Sequence, residues 1–112
     1  MTETLDFDDN DPYNHCSPSA RILPNVLESV VEKKVTDYAK ARGWLSYKWV
    51  SPSNRGVPDR MYFRGGELVL IEFKAPGKKP TPYQEAIHRR LEKVGFTVQI
   101  IDDIEKGKAL LC

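Results

Sequence analysis

Asp59 in Gly56-Val57-Pro58-Asp59-Arg60 is followed thirteen residues later by Glu72-Phe73-Lys74. Two carboxylates and an ammonium so spaced could hold a divalent cation and a water beside a phosphate, which is the chemistry of phosphodiester hydrolysis. The residues between the motifs supply the geometry. Residues 60–64 and 67–72 are rich in β-formers and are separated by Gly65-Gly66, a pair that accepts the positive φ angles of a two-residue hairpin turn. Antiparallel pairing then places Asp59, at the start of the first strand, beside Glu72 and Lys74, at the end of the second. Alternate strand residues share a face, so Glu72 and Lys74 point together while Phe73 points into the opposite layer.

A surface charge ladder competes with this reading, because an isolated E-x-K on a strand often only solvates one face. Here Leu68 and Leu70 precede the charges on one face and Val69 and Ile71 fill the other, so the strand enters its charged end from a region buried on both sides. Charges at the end of a buried strand need partners or a metal.

At 112 residues with 40% hydrophobic content, the chain suffices for one core. No run approaches the ~20 consecutive apolar residues of a membrane span, and no secretory signal is recognised. Cys16 and Cys112 form no C-x-x-C spacing, which argues against a disulfide framework or a zinc site; His15-Cys16 is an isolated pair. The net charge of +1 hides an asymmetry: residues 1–20 carry five carboxylates and no Lys or Arg, which leaves +6 on residues 21–112. A basic body favours phosphate contacts. Residues 1–20 are expected to be disordered, and residues 21–112 to form a single domain.

The elements that must position the site follow an αβββαβ order. After Pro24, Asn25 can cap a helix with Leu27, Val31, Val35 and Tyr38 at helical spacing, and Gly43 supplies its stop. Residues 44–50 read as a strand and residues 51–56 as a mobile loop leading to the hairpin. Thr81-Pro82-Tyr83-Gln84 combines a cap, a proline at the first helical position and a capping-box glutamine, opening a helix with Tyr83, Ile87, Leu91 and Val94 on one side and Gly95 at its end. Residues 96–101 form a fourth strand, and Asp102 or Asp103 caps a short terminal helix through Leu111. Glu32 and, one turn earlier, Glu28 both border the apolar face of the first helix, where either carboxylate could look toward Asp59 or simply face water. The Gln84 amide could contact the site or cap Thr81.

Glu32 with Gly43 eleven residues on, then Gly56-Val57-Pro58-Asp59-Arg60, Glu72-Phe73-Lys74 and Gln84 together resemble the VRR-NUC branch of the PD-(D/E)xK nuclease superfamily, in its small viral and bacterial form. The resemblance spans residues 26–101. Phe73 stands where aliphatic residues are more usual, at a position that faces the core. The resemblance implies an α/β, restriction-endonuclease-like fold with a mixed central sheet flanked by helices. It also implies a magnesium- or manganese-dependent endonuclease acting on DNA. Asp59, Glu72 and the carbonyl of Phe73 would be metal ligands, and Glu32 a further carboxylate, chosen over Glu28. Lys74 would orient or help deprotonate the attacking water, and Gln84 and Arg60 would support the site or contact the substrate.

Small members of this family resemble archaeal Holliday-junction resolvases, which implies a homodimer cutting four-way junctions. Cleavage of flaps, nicks or duplex, or a catalytically idle DNA-binding module, are the other expectations. Trp44, Tyr47 and Trp49 are candidates for a dimer interface or for core packing. Arg55, Arg60, Lys78, Lys79, Arg89, Arg90 and Lys93 are candidate phosphate contacts. A DNA substrate and the lack of an export signal lead to an expected cytoplasmic location, in a bacterium or a virus-infected cell.

Overall fold

A computed structural model describes the backbone of residues 24–112 and the side chains from Glu28 onward. The expected disorder of residues 1–20 and the His15-Cys16 pair lie outside the described residues. Helix α1 (Pro24–Ala41) is followed by β1 (Leu45–Lys48), β2 (Arg60–Arg64) and β3 (Glu67–Phe73). Helix α2 (Pro82–Lys93), β4 (Val98–Ile101) and a short helix α3 (Ile104–Leu110) complete the order. The sheet runs β1-β2-β3-β4. Its first three strands are antiparallel and β4 is parallel to β3, with α2 in the crossover that a parallel pair requires. Among the described residues, no helix is long and apolar enough to cross a membrane.

The hairpin forms as expected. Gly65 and Gly66 adopt φ angles of 58° and 82°, the left-handed pair of a two-residue turn whose twist matches the flanking strands. Register follows, with Arg60 opposite Ile71 and Tyr62 opposite Val69. One face of the sheet packs Tyr62, Ile71, Phe73 and Ile101 against Val31, Val35 and Ala39 of α1, with Trp44 and Leu111 closing the cluster. Each fully buried aliphatic side chain contributes roughly 1.5–3 kcal/mol.

Several boundaries differ from the sequence expectation. Helix α1 already includes Pro24, whose fixed φ suits a first turn, so Asn25 lies inside the helix and does not cap it. Trp44 is a buried corner residue whose indole Nε1 donates to the Leu111 carbonyl at 2.7 Å, so the first strand begins only at Leu45. Phe96 closes the end of α2 by donating its N–H to the Leu91 carbonyl, which delays β4 to Val98. Helix α2 buries Ile87, whereas Tyr83 is exposed and Val94, at the C-cap, is 69% exposed. Asp103 is the cap of α3, accepting from the Lys106 N–H.

Helix α2 packs on β4, so among the described residues no helix lies over the opposite half of its sheet face, above β1 and β2. Leu45, Tyr47 and Phe63 are exposed there.

Candidate active site

The hairpin register brings Asp59 to the level of Glu72. Asp59 Oδ2 accepts the Phe73 N–H at 2.8 Å, which fixes the carboxylate one residue from Glu72. Glu72 is 2% exposed. Its Oε2 accepts the Gln84 Nε2 amide at 2.8 Å and lies 3.5 Å from Lys74 Nζ. Its Oε1 is buried with no hydrogen-bond partner among the described residues. Burial first, and the nearby charge of Asp59 second, push the Glu72 carboxyl up to about 7 from an ordinary 4.5. Burial likewise raises Asp59, against the lowering effect of its bond to the Phe73 amide.

A buried carboxylate oxygen without a donor is costly, and a neighbouring carboxylate adds repulsion. A divalent cation between them would relieve both. The donor set of carboxylate oxygens beside a backbone carbonyl at Phe73 fits a hard cation such as Mg2+ or Mn2+. Among the described residues, no three His, Cys, Asp or Glu side chains form a ready-made metal cluster, so two side chains carry the fit.

Gln84 performs both functions that the sequence left open. Its Oε1 accepts from the Thr81 N–H at 2.9 Å and its N–H donates to Thr81 Oγ1 at 3.1 Å, completing the capping box. The other end of the same amide, Nε2, reaches Glu72. The cap therefore fixes the rotamer that delivers the donor.

Glu32 stands one turn along α1 from the core residue Thr36 and is tied to two cations. Its Oε2 accepts from Arg60 Nε at 2.8 Å and lies 3.2 Å from Lys48 Nζ. Arg60 is thereby half-buried and bonded also to Ser46, which distinguishes it from the other candidate DNA contacts. Arg55, Lys78, Lys79, Arg89, Arg90 and Lys93 are all exposed, with Arg55 over the Tyr83 ring.

Two residues beside the site were not singled out for a role from the sequence. Gly56 is buried where the loop before Asp59 meets α2, and a Cβ there would lie 2.8 Å from both Ile87 Cγ1 and the Tyr83 carbonyl. Backbone on one side of that contact leaves little room to yield. Gly56→Ala is expected to cost about 1–3 kcal/mol and to lower cleavage by displacing Asp59 relative to Gln84; thermal melting and a rate assay on one sample check it. The second is His88, one helical turn after Gln84 on the same face, whose Nε2 is buried without a partner. Burial and then the charge of Lys74 lower its pKa. The i, i+4 spacing from Gln84 was the available signal.

No protein-family model matches the chain. A protein of Acyrthosiphon pisum secondary endosymbiont phage 1, provisionally named nuclease p44, is 42% identical over 86 residues, which span 76% of this chain and 92% of the relative. A solved structure described as a VRR_NUC domain matches with a TM-score of 0.68 and 27% identity, over 74% of this chain and 91% of that one. With a mixed four-stranded sheet, Asp59 and Glu72 brought to one strand end, and a relative of this similarity along nearly its whole length, the chain belongs to the VRR-NUC family of nuclease domains.

Proposed function

We propose that the chain is a divalent-cation-dependent DNA endonuclease that acts as a homodimer on four-way junctions. The carrying observation is the buried, partnerless Oε1 of Glu72 beside Asp59. Asp59, Glu72 and the Phe73 carbonyl would hold Mg2+ or Mn2+. When bound, the ion activates water, polarises the scissile phosphate and offsets charge on the leaving oxygen.

The chain's own residues do the rest. Gln84 holds Glu72 Oε2, which leaves Oε1 for the cation. Lys74 Nζ, tethered near the same carboxylate, orients the attacking water and donates to a phosphate oxygen as the phosphorus–oxygen bond to the leaving group breaks. Arg55, Lys78, Lys79, Arg89, Arg90 and Lys93 supply backbone contacts. Each phosphate neutralised on duplex DNA contributes a slope of roughly −0.9 to log K against log salt, so affinity measured from low to physiological salt should fall steeply and with little base dependence.

The junction preference rests on symmetry. One chain offers one site, whereas resolution needs paired incisions, which a two-fold dimer supplies. Leu45, Tyr47 and Phe63, exposed on the sheet face that no helix covers among the described residues, form the surface a second copy would bury. Trp44 takes no part, being in the core, and Trp49 is half-buried. The deciding assay offers a four-way junction, a flap and a linear duplex, each with magnesium, manganese or chelator, alongside light scattering of the wild type and Tyr47→Glu. Paired junction incisions lost with chelator, and a dimer lost in the variant, are expected. Equal cutting of all three substrates would overturn the junction preference, and cutting in chelator would overturn the metal dependence.

A further inference from the structure

Helical spacing puts Tyr83 one turn before the buried Ile87, on the packing side of α2, and yet the ring is 46% exposed. A lone exposed tyrosine is ordinary. Three features set this one apart. Arg55 lies over its ring, 5.8 Å from guanidinium carbon to ring centre, within the reach of a cation–π contact. The next residue along α2 is Gln84, whose Nε2 donates to Glu72 Oε2 at 2.8 Å. The residue after Arg55 is Gly56, which packs so closely on the Tyr83 carbonyl that no Cβ would fit, and Asp59 follows three residues on. Ring and guanidinium are therefore carried by the two segments that deliver Gln84 and Asp59 to the acidic pair.

The chemistry of this pair suits one kind of ligand. The capping box of Thr81 and Gln84 brackets Tyr83 and fixes its backbone. A tyrosine side chain has only two χ angles to immobilise, so it offers a large flat surface at low entropic cost. Arg55 is exposed, and among the described residues no carboxylate pairs with it. A guanidinium that meets an aromatic ring keeps its N–H donors for another partner, and a phosphate fits them. Nucleobases stack on aromatic rings and on guanidinium planes, which raises affinity by roughly 5–150-fold per base without reading sequence. Only an unpaired or unstacked base has a face to offer, as at a branch point; a continuous duplex hides its bases in the stack.

We infer that Tyr83 and Arg55 form a stacking platform for an unpaired nucleobase beside the scissile phosphate, and so favour branched over continuous DNA. The inference rests on the nuclease reading above and names the side chains by which that site senses a branch.

The test titrates the full chain in Ca2+ with a four-way junction, a linear duplex of the same sequence, and the junction carrying an abasic residue at each nucleotide flanking the cut in turn. Single-turnover cleavage in Mg2+ is followed on the same DNAs. Tyr83→Ala should weaken junction binding about 10-fold and duplex binding far less, while Tyr83→Phe keeps both. On one of the abasic junctions the wild type and Tyr83→Ala should bind alike, because removing the base or the ring removes the same contact. Arg55→Lys keeps the charge, and with it the salt dependence, but loses the plane, so it should weaken the junction more than the duplex. That exposed substitution decides the matter should Tyr83→Ala melt early. Equal losses on junction and duplex in Tyr83→Ala, or an undiminished loss on every abasic junction, overturn the platform. A wild type that cuts no DNA in Mg2+ overturns the nuclease reading, whereas one that cuts, with a junction-to-duplex ratio unchanged in Tyr83→Ala, overturns the platform alone.

Discussion

Asp59→Asn lowers the rate of DNA cleavage about 1,000-fold or more while leaving DNA affinity equal to or tighter than that of the wild type. The amide keeps the shape and can still accept the Phe73 N–H through its oxygen, so the strand end holds together. What it loses is the charge that, in the proposed mechanism, retains the cation. A metal ion contributes several kcal/mol of transition-state charge stabilisation, and each ~1.4 kcal/mol is a factor of ten in rate. Binding moves the other way because a negative charge beside the DNA phosphates is removed. Single-turnover cleavage in Mg2+ and a binding titration in Ca2+ check both halves. A variant that cuts at the wild-type rate would place the chemistry elsewhere.

The second large effect is on stability, and it is expected in the metal-free protein. Glu72 binds its proton more tightly when folded than when unfolded, since burial and Asp59 raise its carboxyl from 4.5 to about 7. A raised folded value means that stability is fully present below about pH 4.5 and is lost as the pH climbs through about 7, with no further change from this group above it. The full swing is on the order of 3 kcal/mol. Glu72→Gln removes the ionisation and keeps an acceptor for the Gln84 amide. At pH 8 the metal-free variant should therefore melt about 10 °C or more above the wild type, and at pH 4.5 close to it. Adding Mn2+ at pH 8 should stabilise the wild type and leave the variant nearly unmoved, because only the former binds the ion tightly. Wild-type melting that stays flat between pH 5 and 8 would contradict the description of Glu72 as a buried, destabilised anion. Scanning calorimetry across that range decides it.

Much of the geometry around Asp59 and Glu72 was legible because its determinants are local. Gly65-Gly66 permits one kind of turn, the turn sets the register, and the register brings Asp59 to Glu72. The capping box at Thr81 and Gln84 is likewise a matter of four consecutive residues. What escaped depends on the meeting of elements distant in the chain. Periodicity places Glu28 and Glu32 equally well, and only the contact with Arg60 separates them. Trp44 reads as a strand aromatic until the Leu111 carbonyl, from the far end of the chain, accepts its N–H. The need for glycine at position 56 comes from Tyr83 and Ile87, which spacing alone does not reveal. Gln84 was read as an amide with one partner, although its two ends serve two neighbours.

The parallel pairing of β4 on β3 has a kinetic consequence. Hairpin β2–β3 closes through a two-residue turn, and such local closures occur within microseconds. Strand β4 pairs only after the intervening segment with α2 has looped back, and Lys74 N–H bonds to the Ile101 carbonyl across that late contact. Asp59 and Glu72 therefore come together early, whereas Gln84 and the fixed backbone of Lys74 arrive with the crossover. Docking of the final third of the sequence is therefore what completes the set, because Gln84 and the Ile101 carbonyl both belong to it.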